Sequence, residues 1–129
     1  MARLHLIFGI VVFVVFLVTG RLMRWDFPDK DAISQEFRLL MRSRHIYILL
    51  ASLVHIVLGV YLQMRRETLP KTVQIFASVL LFAGALLLIY AFFYETYTTR
   101  HFSDLSRFGL YLSLAGTIFH LLGGFQIRK

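Results

Sequence analysis

The sequence predicts an all-α integral membrane protein: a four-transmembrane-helix bundle that reads as two repeated helical hairpins, plus a short interfacial helix in the first loop. Three observations point there. Of the chain's 129 residues 58% are hydrophobic, and the mean hydropathy is +0.71; soluble domains sit nearer about 45–50% apolar. The 14 basic and 7 acidic residues all lie outside four stretches, 4–20, 45–64, 72–94 and 108–127. Each stretch matches the ~17–25 helical residues that cross a hydrocarbon core. Finally, runs such as Gly9-Ile10-Val11-Val12-Phe13 lack the period-2 alternation of a barrel strand. Helices remain, because lipid offers backbone N–H and C=O groups no other partner.

The chain is expected to form a single domain over 1–129, with helices near 4–24, 45–64, 72–97 and 105–127 and an amphipathic segment at 29–44. The first run ends in Val18-Thr19-Gly20, small residues that imitate a cleavage site; it is expected to be retained as a helix. In the first loop Ile33, Phe37, Leu40 and Met41 recur at helical spacing. Pro28 with Asp29 and Asp31 suits a helix start, and the segment is expected to lie on the interface and run into the second membrane helix, from about residue 31. Trp25, Phe27, Tyr47, Tyr61, Tyr90, Phe92, Phe93, Tyr94 and Tyr97 gather near run ends, as amphipathic rings at headgroup depth do.

The formal charge of +7 does not indicate nucleic acid. Lys and Arg at helix ends orient membrane proteins and meet anionic headgroups. Four spans put both termini on one side with Arg3, Arg65, Arg66, Lys71, Arg128 and Lys129. The other side holds Arg21, Arg24, Lys30, Arg38, Arg42, Arg44, Arg100 and Arg107. The bias is nearly even, and both termini are expected in the cytoplasm, in a bacterial inner membrane. The chain has no cysteine, which excludes disulfide frameworks and thiolate chemistry.

The second and fourth runs align at an offset of 65. Ala51-Ser52-Leu53-Val54-His55 falls on Gly116-Thr117-Ile118-Phe119-His120, and Gly59 on Gly124. Ala51, His55 and Gly59 share one helix face, as do Gly116, His120 and Gly124. An imidazole within the bilayer should face the bundle interior and find a partner. Two readings compete. In one, Ala51, Gly59, Gly116 and Gly124 let the second and fourth helices approach closely, with the rings bonded to each other, to hydroxyls or to carbonyls. In the other, His55 and His120 are axial ligands of a b-type haem, one from each of two facing helices. Close packing is the expectation, so no cofactor is, with haem b as the alternative. Zinc or copper would need further ligands at that depth, and the runs supply no Cys, Asp or Glu. His5 and His45, at run ends, are expected at the interface, and His101 in solvent.

Each hairpin turns near an acid and then a Ser-Arg pair: Asp26 before Ser43-Arg44, and Glu95 before Ser106-Arg107. Asp26 and Glu95 are therefore expected to pair with Arg44 or Arg107. In size and helix count the chain resembles the small multidrug-resistance transporters. That family carries its coupling carboxylate within the first helix, and residues 4–20 here hold no acid. There is no legible nucleophile–base set, phosphate loop or carboxylate pair, so no enzyme is expected. The expected function is that of a non-catalytic multi-pass membrane protein, an accessory or assembly subunit packing against other integral membrane proteins in homo- or hetero-oligomers. A small cytochrome b-like electron carrier is the alternative, and a carrier of small solutes or lipids the second.

Overall fold

A computed structural model describes residues 1–29, 33–63, 68–98 and 104–124. The expected roles of Lys30, Asp31, Arg65, Arg66, Arg100, His101, Arg128 and Lys129 fall outside the described residues. Four helices form among them: α1 (Ala2–Asp26), α2 (Gln35–Tyr61), α3 (Thr68–Thr98) and α4 (Asp104–Gly124). All four are long and apolar enough to cross a membrane. The exposed face of α1 is a stripe of large aliphatics, with Leu4, Ile7, Val11, Val14 and Val18 each about half exposed or more; such a face suits lipid.

The amphipathic segment is not a separate interfacial helix. It forms the first turns of α2, which starts at Gln35 rather than near residue 31. The reason lies in the cap. Ser34 accepts a hydrogen bond from Phe37 N at 3.3 Å, and Glu36 sits in the positive first turn. The apolar stripe turns inward: Phe37 meets Phe27 edge-on at 5.8 Å, and Met41 is buried.

Packing follows the hairpins. α1 lies along α2 and α3 along α4; α2 packs on α3 to join the pairs, whereas α2 and α4 barely meet. This corrects the expected approach of α2 and α4. The small residues serve other contacts. A Cβ on Gly59 would lie 2.5 Å from the backbone of Leu6 in α1, and one on Gly9 2.8 Å from Ile56 N. A Cβ on Gly116 would sit 2.9 Å from Ala77 O in α3. Ala51 packs with Ala85 and Leu88 of α3. Gly124 would meet nothing within 4 Å, and Gly123 instead faces Gln74. Glycine shapes the contacts inside each hairpin, where the crossings are tightest.

Splaying α2 from α4 leaves a groove of about 440 Å³ between them. Leu81 and Leu88 of α3 line it together with Leu50, Val54 and His55 of α2, and Leu110, Leu114 and Thr117 are among its α4 residues.

Candidate functional site

One polar side chain from each helix meets inside the bundle, toward the end that holds Ala2, Tyr61, Thr68 and Gly124. His5 of α1, His55 of α2 and Ser78 of α3 are 0–1% exposed, and His120 of α4 is 7% exposed. His5 Nδ1 lies 2.8 Å from His55 Nδ1, and His5 Nε2 lies 3.0 Å from Ser78 Oγ. Ser78 Oγ is also 3.0 Å from His120 Nε2 and donates to Gln74 O at 2.9 Å. Phe82 stacks on His5 with centroids 4.8 Å apart, and Phe8 meets His55 edge-on at 4.7 Å. Two glycine crossings set the geometry: Gly59 against Leu6 and Gly9 against His55 and Ile56 bring the first turns of α1 onto the last turns of α2.

The donation of Ser78 to Gln74 O sets the direction of the other bonds. A hydroxyl has one proton and two lone pairs. Gln74 O can only accept, so all three Ser78 bonds form together only if Ser78 donates to Gln74 and both histidines donate to Ser78. His5 then carries its proton on Nε2, and its bare Nδ1 accepts from His55 Nδ1–H. His120 likewise carries its proton on Nε2. This leaves two unprotonated nitrogens, His55 Nε2 and His120 Nδ1. Both are buried without a hydrogen-bond partner among the described residues. Such orphans cost free energy unless something else meets them.

His55 and His120 both lie in the interior. They are linked through His5 and Ser78, with the His5 ring centroid 4.9 Å from that of His55 and 5.7 Å from that of His120. No group of three or more His, Asp or Glu among the described residues is arranged to hold a metal ion. The repeat also diverges around its histidines. Ser52 Oγ donates across the hairpin to Gly9 O at 3.0 Å, whereas Thr117 Oγ1 donates to Ser113 O of its own helix.

A second polar cluster closes the opposite end of the bundle. Arg44 Nε lies 3.1 Å from Glu95 Oε2, with both side chains 1% exposed. Glu95 Oε1 accepts from Ser106 N at 3.2 Å, and Oε2 from Ser106 Oγ at 2.5 Å. Glu95 thus ties α2 to α3 and also satisfies an N–H in the first turn of α4. Of the arginines expected to pair with the turn acids, Arg44 meets Glu95. Arg107 instead lies 3.6 Å from Asp104 on the surface. His45 is half-buried: it stacks on Phe16 at 4.1 Å, and Thr19 Oγ1 lies 3.1 Å from its Nδ1.

Sequence reasoning missed His5 and Ser78. His5 sits two residues inside Arg3, and position along a run does not say which helix covers it. Ser78 is one of several hydroxyls in apolar runs, with no spacing that singles it out. Comparison with known protein families, curated proteins and solved structures finds no match for this chain.

Proposed function

We propose that this is a non-catalytic multi-pass membrane protein whose contribution as an accessory component is a lateral binding site for a lipid-soluble molecule bearing a hydrogen-bond donor. The carrying observation is that His55, a wall residue of the α2–α4 groove, has a buried Nε2 that meets no hydrogen-bond partner among the described residues. The groove's volume of about 440 Å³ falls within the ~300–1,000 Å³ of small-molecule sites, which are mostly apolar with few polar groups. Leucines and Val54 would hold an apolar body, and His55 Nε2 would accept from a hydroxyl. A groove of this size is too small for a partner's transmembrane helix.

A short-chain alkyl hydroquinone and its dimethyl ether make the test, since the two share a body and differ in the donor. The wild-type protein in detergent is expected to bind the hydroquinone about tenfold more tightly, the effect of one hydrogen bond to an otherwise unsatisfied acceptor. His55→Phe should abolish the preference, and Leu114→Trp should weaken both ligands by filling the groove. Equal binding of hydroquinone and ether by the wild type would end this reading. A Soret band with split α and β bands on reduction, lost in His55→Ala or His120→Ala, would replace it with the cytochrome.

A further inference from the structure

The ends of α1 and α2 that lie away from the histidines hold a different kind of site. Two adjoining hollows, of about 580 and 190 Å³, share Gly20 and Arg24. Arg21, Trp25 and His45 line the larger, and Arg38 and Arg42 the smaller. Among the described residues no acid lines either one. Arg21 sits over the Trp25 ring at 4.9 Å. Arg24, Arg38 and Arg42 form no ion pair among the described residues, where the pairs are Arg44–Glu95 and Arg107–Asp104. Four guanidiniums around an acid-free hollow are arranged for an anion.

Their placement indicates which anion. These arginines flank the charge-free runs 4–20 and 45–64, at the level where headgroups begin. Trp25, 67% exposed, marks the same level. Below the arginines the wall of the larger hollow turns apolar, with Phe16 and Leu17, while Met23, Phe27, Ile33 and Met41 stand among the arginines of the smaller. A ligand that is anionic at one end and hydrocarbon at the other matches that gradient, and guanidinium forks suit phosphate oxygens. Gly20 keeps the junction open: a Cβ there would come within 3.2 Å of the His45 ring.

We propose that this bipartite arginine pocket binds the phosphate headgroup of an anionic phospholipid. The pocket is independent of the histidine groove and stands on different residues. The test is lipid retained by the protein after extraction from nanodiscs of phosphatidylglycerol or phosphatidylcholine, counted by native mass spectrometry. Arg24→Gln/Arg42→Gln and, separately, Gly20→Leu are compared with Arg3→Gln/Arg107→Gln, which removes the same charge elsewhere. Retained phosphatidylglycerol is expected to fall about tenfold in the first double variant, as near-surface arginines are worth to anionic lipid. Gly20→Leu should lower it with every charge kept, and the control should retain the wild-type amount. The Arg24→Gln/Arg42→Gln result stands alone if Gly20→Leu does not fold, because Arg24 and Arg42 are exposed. Equal loss in the control would reduce the effect to general charge attraction and overturn the proposal. So would equal retention of phosphatidylcholine by the wild type. Displacement of the lipid by millimolar inorganic phosphate would assign the pocket to a soluble anion instead.

Discussion

The two buried polar clusters lie about 25 Å apart along α3, from Ser78 to Glu95, and one is built on an ion pair, the other on rings and a hydroxyl. At the Glu95 end the two carboxylate oxygens take Arg44 Nε, Ser106 N and Ser106 Oγ. Charge meets charge, and the acid caps a helix. At the histidine end four neutral side chains share a few protons, and two ring nitrogens are left over. The Glu95 end is held by attraction between opposite charges. The histidine end is held by neutral hydrogen bonds alone, and a buried ring nitrogen without a partner there costs free energy.

The largest effect should come from breaking the ion pair. Arg44→Met or Glu95→Leu alone strands a buried charge and is expected to cost about 3–5 kcal/mol. The double variant should lose clearly less than the sum, because no charge is stranded. Denaturant titration in detergent micelles measures this, and two small, additive losses would show that the pair is not a unit. Gly59→Val comes next, at about 1–3 kcal/mol from forcing α1 off α2. Gly124→Val should be close to neutral by the same titration, since space surrounds that position. Full-size losses at both glycines would contradict packing within hairpins.

Smaller effects sharpen the contrast at the histidines. His5→Phe keeps the ring's volume but strands His55 Nδ1–H, at about 1–2 kcal/mol. His120→Phe should cost less, because Ser78 keeps its bonds to His5 and Gln74. The last test moves no stability at all. ¹⁵N spectra of ring-labelled protein should show His55 protonated on Nδ1, and His5 and His120 on Nε2. A proton on His55 Nε2 would remove the open acceptor on which the groove's proposed ligand depends.

Much of the fold was legible because bilayers are simple solvents. Charges mark where lipid begins, so Arg3, Arg21, Arg44, Arg65, Lys71 and Glu95 bracket three of the spans. The acid-then-Ser-Arg order pointed to the Glu95 cluster, since a turn acid lies near the next helix start. Which helix each apolar face touches was not legible. His55 and Gly59 stand on one face, but α1 rather than α4 covers it, and a histidine in the first turn of α1 carries no sign that it will be buried. The start of α2 was misplaced because Asp29 resembles a cap as well as Ser34 does. Only the carbonyl-to-amide geometry of the first turn separates the two.

Ser78 has one more consequence. Conducting a proton through a file of groups requires each to accept from one neighbour and donate to the next, all pointing the same way. At Ser78 two imidazoles point toward the same oxygen, and its only proton leaves sideways to Gln74 O. A proton arriving at His55 can move to His5 and no further, because Ser78 has no neighbour able to take one and His120 already faces it with a hydrogen. The trio is therefore a terminus, not a wire.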